Sequence, residues 1–495
     1  MTFQEELLIL FQSRYPIIYI LTIEEERVEY IIRDTILNQI SGNLYIWDFV
    51  KGYNFDPLKK EFGKRNPLEA LEFIESINEY TPSIFILRDF KRFLKDLTIS
   101  RKLRHILLVL KIQPKTIILI DSEAQIPNEL KDHITLLKFQ LPTPNEIIIE
   151  IGRITNNINP KIFYEENSSE RLLEQIICVC QGLSLEKIRR VLGKAIIIYK
   201  QIDENCIPLI LAEKRQIISQ TDLLEFWSVK SALNDVGGAY NLKKWINARS
   251  EIFSERALNY KLVTPKGVLI IGIQGSGKSL IAKAVAYEWK LPLLRLDVGR
   301  LFGGVVGESE SRVREMIEIA ESLAPCILWV DEIDKAFSDS EQNFDNGTSI
   351  RVLGTFVTWL GEKTLPVFVI ATANDLSSLP LEIVRKGRFD EIFFLNLPTS
   401  KERKMIYETH LKRFRPYSWD VFNSSTLSKR TRKFSGAEIE QTIIDAMYIA
   451  FNEDREFNTN DILTAIEETI PIMNLDPSRT FLIHQWATSG KIRIA

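Results

Sequence analysis

The chain has 495 residues, 45% hydrophobic and 26% charged, with 63 Lys and Arg against 66 Asp and Glu and a formal net charge of −3. A single hydrophobic core rarely serves a chain of this length, so we expect two or three domains. No apolar run approaches the roughly 18 residues that span a bilayer, and the slightly acidic balance is unlike the basic footprint of a nucleic-acid-binding protein. We therefore predict neither a membrane span nor a nucleic-acid partner.

The cysteines and histidines exclude two further classes of protein, those held together by disulfides or zinc-bound cysteines and the H-E-x-x-H zinc proteases. The cysteines are too few for a disulfide framework and match no zinc spacing, so we expect reduced core residues at Cys178, Cys180, Cys206 and Cys326. None of the histidines stands in an H-E-x-x-H arrangement, which excludes a zinc protease of that kind. The N-terminal residues include acidic side chains and lack the basic character of a signal or transit peptide, so no cleaved address is expected.

The first half begins with the apolar run PIIYILT, which leads into EEER without a glycine loop or a phosphate-binding lysine. A later strand, IFILRDF, ends near Arg88. Residues 117–147 share with residues 368–402 the order of an apolar strand, a polar loop, P-x-E and a strand that closes in L-P-T. QGLSLEKI likewise parallels FSGAEIEQ further on. Either the first half is a decayed copy of the second, or it is an unrelated α/β domain.

A charged helical linker is expected over about 201–230, before a phosphate-binding pattern. Strand Val268–Ile271 leads into a glycine-rich turn and then a helix, and the turn satisfies G-x-x-x-x-G-K-[ST]. Lys278 is placed to reach the β- and γ-phosphates of a nucleotide, and the Ser279 hydroxyl to bind Mg²⁺. The predicted nucleotide-binding residues are Gly272, Ile273, Gln274, Gly275, Ser276, Gly277, Lys278 and Ser279.

Two further apolar strands end in polar side chains. CILWVDEID ends in Asp331 and Glu332, which suit a Mg²⁺ carboxylate and a group that polarises the attacking water. VFVIATAND ends at Asn374, whose amide is able to orient that water. Arg385 and Arg388 follow, and guanidinium groups near a surface loop suit phosphate recognition in trans, with a solvated surface pair as the alternative.

These motifs together resemble the AAA module shared by FtsH, the proteasomal ATPases and katanin, over about residues 231–470. The motifs, in the family's order, are DVGG, PKGVLIIGIQGSGKS, GESE, ILWVDEID, ATAND and RKGRFD. The resemblance implies that Asn374 is sensor 1 and that Arg385 and Arg388 are arginine fingers that reach the neighbouring subunit. It also implies a homo-oligomeric ring, usually of six subunits, because no subunit completes its own site.

The lid and the pore loop carry further expectations from this resemblance. SGAE resembles the start of the lid helix, with Ala437 where other relatives carry a sensor-2 Arg. Val305 stands where ring translocases place a pore aromatic, so threading of a polypeptide is not implied. Phe302 is a substitute for that aromatic or a core residue. The basic stretch SKRTRK is a solvated lid edge or a contact for a partner or nucleic acid.

The predicted fold class is therefore α/β. A P-loop AAA module, built as a parallel sheet between helices plus a small helical lid, follows a degenerate AAA-like α/β domain. The expected domains are the N-terminal domain over 1–200, the helical linker over 201–230, the AAA core over 231–400, the lid over 401–471 and a C-terminal tail over 472–495.

The expected function is ATP binding and hydrolysis with Mg²⁺ by a ring-forming remodeller of proteins or complexes. The alternative is a nucleotide-gated binding scaffold that hydrolyses ATP slowly. The whole chain also resembles a family of AAA proteins encoded by red-algal plastids and cyanobacteria. This resemblance rests on the P-I-I-Y-I-L-T-x-E-E opening and the Ile-rich composition, and it implies a location in the plastid stroma, or the cytoplasm of a bacterium.

Overall fold

The protein was analysed as a computed structural model, which divides into two compact units, Met1–Leu141 and Pro142–Ala495. The structure describes residues 2–35, 42–53, 62–77, 82–158, 169–218, 223–227, 232–253, 255–302, 308–335, 346–376, 379–475 and 493–495. Each unit contains a sheet of mainly parallel strands, so the α/β fold class is confirmed.

The first unit is a six-stranded sheet flanked by helices. Its central strands are continuous apolar runs that are buried along their length, as expected for a parallel sheet covered on both faces. Its elements are α1 Phe3–Gln12, β1 Ile17–Leu21, α2 Glu25–Thr35, β2 Asn43–Asp48, β3 Gly52–Tyr53, α3 Pro67–Ser76, β4 Ser83–Arg88, α4 Leu97–Leu110, β5 Lys115–Asp121 and β6 Ile134–Lys138. The strand order is β3-β2-β4-β5-β1-β6, with only β3 antiparallel to its neighbour.

The second unit begins with four helices that share one apolar core. They are α5 Pro144–Ile158, α6 Ser169–Cys180, α7 Leu185–Tyr199 and α8 Cys206–Ile218. Their buried side chains are mostly Ile and Leu at helical spacing, and the core includes Cys180 and Cys206. All four cysteines of the chain are free thiols, and three of them are buried.

A seven-stranded sheet follows, with order β13-β12-β8-β11-β10-β9-β7. Strands β8 and β11 lie at its centre and are buried throughout, because helices cover both faces. The elements are β7 Leu224–Trp227, α9 Tyr240–Asn247, α10 Glu255–Asn259, β8 Gly267–Gly272, α11 Lys278–Glu288, β9 Leu293–Leu296, α12 Val298–Phe302, α13 Glu308–Ser322, β10 Cys326–Val330, α14 Asn346–Glu362, β11 Val367–Ala373, α15 Leu381–Val384, β12 Glu391–Leu395 and β13 Arg493–Ile494.

The lid is a small helical bundle after β12. Its helices are α16 Ser400–Phe414, α17 Ser424–Arg430, α18 Gly436–Asn452 and α19 Thr459–Glu468, followed by the short α20 Ile472–Leu475. Helix α18 begins at a capping box in which the Ser435 hydroxyl accepts from the Glu438 N–H and the Glu438 carboxylate accepts from the Ser435 N–H. In the predicted basic stretch 428–433 the side chains of both lysines and both arginines are exposed.

The two sheets have the same topology. When β1, β2, β4, β5 and β6 of the first sheet and β8–β12 of the second are each numbered along the chain, both sheets have the order fifth, first, fourth, third, second. The helix after each sheet begins with the same capping box, at Thr143 with Glu146 and at Thr399 with Glu402. These correspondences support the interpretation of the first half as a decayed copy over that of an unrelated α/β domain.

Two short strands lie in segments where the sequence predicted none. The predicted helical linker contains α8 but also β7, which adds antiparallel to β9 at one edge of the second sheet. The last residues of the chain form β13, which pairs with β12 at the opposite edge. The domain boundaries drawn from the sequence stay predictions. No helix in the described ranges is long and apolar enough to cross a membrane.

A glycine in the turn between α6 and α7 permits a close approach inside the second unit. Gly182 has φ of +81°, and a Cβ there would lie 2.5 Å from the Ser322 carbonyl oxygen and 2.9 Å from the Leu323 Cα. We expect Gly182→Ala to lower the free energy of unfolding by about 2–4 kcal/mol, through the left-handed backbone and overpacking.

Gly193→Ala is the matched control, because a Cβ at this position inside α7 meets no atom within 4 Å. It should stabilise by about 0.5–1 kcal/mol through helix propensity. Urea unfolding of both variants measures the difference. Equal effects would show that the turn at Gly182 is not tightly packed.

Candidate nucleotide-binding site

The turn after β8 has the backbone of a phosphate-binding loop. Gly275 and Gly277 have φ of +79° and +100°, values that glycine adopts without a Cβ penalty. Helix α11 begins immediately afterwards, so its N-terminal N–H groups face the turn. The predicted loop from Gly272 to Ser279 therefore lies between the carboxyl end of a buried strand and a helix N-terminus.

Lys278 is the buried cation of this site. Its ammonium donates hydrogen bonds to the Gly272 and Ile273 carbonyl oxygens, at 2.7 and 3.0 Å, and to Asn374 Oδ1, at 2.9 Å. Burial lowers the pKa of Lys278 to about 8, although carboxylates near the loop oppose this shift. An ammonium that desolvation disfavours in this way gains free energy when an anion binds beside it.

The polar atoms around Lys278 fit a phosphate ligand. Among the described residues, no carboxylate forms a salt bridge with Lys278, and the buried Ser276 hydroxyl has no hydrogen-bond partner. The loop therefore combines a buried positive charge with a helix N-terminus, both of which favour an anion.

The ends of β10 and β11 bring two further predicted residues together. Because these parallel strands pair in register, Thr372 on β11 lies beside the two residues that follow β10. Its hydroxyl donates to Asp331 Oδ1 at 2.6 Å and accepts from the Glu332 N–H at 3.0 Å. Glu332 has a left-handed backbone, with φ of +50°. A single hydroxyl thus fixes both carboxylate residues.

Asn374 connects the loop to Glu332. Its amide nitrogen donates to Glu332 Oε1 at 3.3 Å, while its oxygen accepts from Lys278. The buried Asp334 carboxylate in turn accepts from the backbone N–H of Asn374 at 3.1 Å, which orients the end of β11. Hydrogen bonding to the Lys335 ammonium is the main cause that lowers the pKa of Glu332, so this carboxylate is ionised at neutral pH.

The oxygen atoms at this edge fit a Mg²⁺ ion that is shared with a nucleotide. The half-buried Ser279 hydroxyl and the Asp331 carboxylate are hard oxygen donors of the kind Mg²⁺ prefers. In the described part of the chain, no group of three or more His, Cys, Asp or Glu residues could hold a metal by itself.

The lid contacts the loop through backbone atoms. The Ala437 N–H, in the first turn of α18, donates to the Gly275 carbonyl oxygen at 3.2 Å. A Cβ on Gly275 would lie 2.9 Å from the Ser435 hydroxyl oxygen. The predicted DVGG segment also reaches the lid, since Gly237 packs against Ile406 of α16. The lid and the phosphate-binding loop are therefore in direct contact.

The two predicted arginine fingers do not join this cluster. Arg385 is exposed at the end of α15, and the guanidinium of Arg388 lies against Gly361 of α14. The Asp390 N–H, just beyond, donates to the carbonyl oxygen of Gly267, the first residue of β8. Arg388 therefore lies toward the amino edge of the sheet, whereas the loop lies at its carboxyl edge.

Ion pairs occupy the corresponding edge of the first unit. Arg88, at the end of β4, makes a two-bonded ion pair with Glu29 of α2 at 2.5 and 2.6 Å. Lys91 pairs with Asp121, at the end of β5, at 2.7 Å. Burial raises the pKa of the neighbouring Glu25 carboxyl. This edge has carboxylates on the helix that follows its first strand, where the second unit has a lysine, so it disfavours phosphate.

Three predictions lie outside the described residues. Val305 and Gly307, at the expected pore loop, are among residues 303–307, and the side chain of Phe302 is likewise not described. The expectations for these residues therefore stay predictions.

Sequence reasoning missed Thr372, Asp334 and Arg295. Thr372 stands within the ATAND motif, and its place beside Asp331 follows from the pairing of β10 with β11, which a motif comparison does not consider. Asp334 was part of the quoted VDEID run but received no role. Arg295, on β9, lies 3.6 Å from Asp331 Oδ2 and has no motif to mark it.

Comparisons with known proteins show which family the chain resembles. Residues 268–397 match the AAA family (ATPase family associated with various cellular activities), and residues 3–139 and 145–221 match the N-terminal and second domains of SpoVK-like AAA ATPases. The AAA domain-containing protein ycf46 of Trieres chinensis is 56% identical over 100% of this chain and 98% of its own length. That of Guillardia theta is 50% identical over 100% and 97%. The proteasome-activating nucleotidase of Sulfurisphaera tokodaii is 34% identical over 48% of this chain and 62% of its own.

Replacing Thr372 tests the shared hydroxyl. Thr372→Val keeps the shape but removes the donor to Asp331 and the acceptor for Glu332. We expect ATP hydrolysis to slow by about tenfold while ATP affinity changes by less than about threefold. Thr372→Ser retains the hydroxyl and should keep most of the activity. A Val variant as active as the wild type would contradict this account.

The ion pairs of the first unit predict a single nucleotide site per chain. Equilibrium dialysis with a non-hydrolysable ATP analogue should find one nucleotide per chain, and none for Lys278→Ala, which removes the buried ammonium. Lys91→Ala, the matched change in the first unit, should leave the stoichiometry unchanged. Two nucleotides per chain would show that the first unit also binds one.

Proposed function

Because the chain belongs to the AAA family of ATPases, we propose that it binds ATP with Mg²⁺ and hydrolyses it in a homo-oligomeric ring that remodels a protein or complex. The observation that carries this proposal is the continuous hydrogen-bond chain from Lys278 through Asn374 to Glu332. It joins the phosphate-binding cation to the carboxylate that faces the attacking water. A loop that only bound nucleotide would not require this connection.

Each group in the chain has a role in the proposed hydrolysis. Lys278 binds the β- and γ-phosphates, and in doing so it exchanges some of its present acceptors for phosphate oxygens. Glu332, whose pKa is lowered and which is ionised at neutral pH, polarises water and accepts its proton. Asn374 orients that water relative to the γ-phosphate, since its amide already donates to Glu332. Ser279 and Asp331 would hold Mg²⁺, which neutralises charge on the phosphates.

The positions of Arg385 and Arg388 are the reason that we propose a ring. Arg385 is exposed and Arg388 lies toward the amino edge of the sheet, so neither is arranged to serve the site of its own chain. Arginines that act in trans raise hydrolysis by about 10³–10⁵-fold in related GTPase systems. We assign this role to both, and six subunits is the number that the family suggests. Isolated subunits should then hydrolyse ATP slowly.

We place the protein in the plastid stroma, since its full-length relatives are encoded in plastid genomes.

Steady-state ATP hydrolysis against protein concentration, with size measured in parallel, tests the proposal. The rate per chain should rise with assembly, and Glu332→Gln should abolish it while ATP still binds. Arg385→Ala should reduce the rate of the assembled protein by about a hundredfold or more. Lys386→Ala, which removes an equally exposed cation beside it, is the matched control and should have little effect.

Two results would contradict the proposal. If the protein binds ATP but hydrolyses none at any concentration, a nucleotide-gated binding scaffold becomes the better account. The ion-paired first unit, which has the fold of a nucleotide-binding domain without its phosphate site, favours that alternative. If Arg385→Ala and Lys386→Ala have the same effect, the arginine has no special role in hydrolysis.

A further inference from the structure

Arg295 on β9 is shared between two carboxylates. One guanidinium nitrogen, Nη2, lies 3.6 Å from Asp331 Oδ2, and the other, Nη1, lies 3.6 Å from Glu225 Oε2. The register of the sheet causes this arrangement, because Arg295 stands opposite Glu225 on β7 and opposite Trp329 on β10. The side chain is one-third exposed, and both pairs are longer than a hydrogen bond. Arg295 is therefore not committed to either partner.

Two tryptophans confine the guanidinium of Arg295. It lies 5.5 Å from the ring centre of Trp227 on β7 and 5.2 Å from that of Trp329 on β10. The rings meet edge to face at 5.8 Å. Lys283 of α11, the helix after the phosphate-binding loop, lies 4.2 Å from the Trp227 ring centre. The two cation–π contacts place the guanidinium beside both tryptophan rings, between its two carboxylates.

Glu225 also contacts a second arginine. Arg300 of α12 lies 2.8 Å from Glu225 Oε1 and 3.3 Å from Asp297, while no contact joins it to Asp331 among the described residues. The charges thus alternate along a line from Asp331 through Arg295 and Glu225 to Arg300. Loss of Glu225 would leave Asp331 as the carboxylate within reach of Arg295.

We propose that Arg295 is a positioning residue for Asp331, held in place by Glu225, and that this pair sets how strongly the site attracts Mg²⁺. The guanidinium neutralises part of the Asp331 charge. Glu225 limits that neutralisation because it attracts the guanidinium away from Asp331. This inference rests on the proposed role of Asp331 as a Mg²⁺ ligand.

The test compares the affinity of the full-length protein for a non-hydrolysable ATP analogue in saturating Mg²⁺ and in EDTA, by isothermal titration calorimetry. The dissociation constant in EDTA divided by the dissociation constant in saturating Mg²⁺ is called the Mg²⁺ gain. Damage to the loop alone changes both constants and cancels in the ratio. Arg295→Gln should raise the gain by about threefold to tenfold, because Asp331 regains its full charge. Glu225→Gln should lower it by about twofold to threefold.

Two further variants separate positioning from other effects. In the Arg295→Gln background, Glu225→Gln should change nothing, because Glu225 acts through Arg295. Arg300→Gln removes an equal charge without a contact to Asp331 and should raise the gain much less than Arg295→Gln. If Arg295→Gln and Arg300→Gln change the Mg²⁺ gain equally, the effect is general electrostatics and the inference is wrong. It is also wrong if Glu225→Gln and Arg295→Gln shift the Mg²⁺ gain in the same direction.

The outcome also distinguishes this inference from the proposed function. A wild type that binds no nucleotide, or binds it with a gain of one, would contradict the proposed ATP and Mg²⁺ site itself. A wild type with a clear gain that the Arg295 and Glu225 variants leave unchanged would overturn the positioning role alone.

Discussion

The buried ammonium of Lys278 is the interaction on which the site depends. It lies at the carboxyl edge of the sheet, where β8 and β11 end beside each other, and it bonds to oxygens from both. Through Asn374 its position is linked to Glu332, and through Gly275 the loop that carries it is linked to the lid. Because burial disfavours the ammonium charge, binding of phosphate relieves a cost already present in the fold.

The first unit has the same sheet topology as the second, but the helix after its first strand carries carboxylates where that of the second unit carries a lysine. Its sheet has the strand order of the second, yet Glu29 follows its first strand on the helix, and Arg88 ends its third. The two cations at that edge, Arg88 and Lys91, are paired with Glu29 and Asp121, so neither is left for an external anion to neutralise. A fold therefore does not carry a nucleotide site by itself. The side chains at the strand ends determine whether a nucleotide site is present.

The sequence predicts well what lies close together in the chain or ends a buried strand. Lys278 follows a glycine pattern, and Asn374 ends an apolar run, so both were assigned correctly to the edge of the sheet. Pairings between distant segments were missed. Thr372 meets Asp331 only through strand register, and β7 is a four-residue strand at an edge, with no turn signal or alternating pattern to mark it. Arg295 was overlooked for the same reason.

The central claim is that each chain holds one hydrolytic site and that arginines of a neighbouring chain complete it. Mixing two inactive proteins tests this most directly: Lys278→Ala chains, which keep the arginines, and Arg385→Ala/Arg388→Ala chains, which keep the site. The account predicts that the co-assembled mixture hydrolyses ATP well above the sum of its separate components, because intact sites then face intact arginines. A mixture that forms mixed rings but stays as inactive as its components would contradict it.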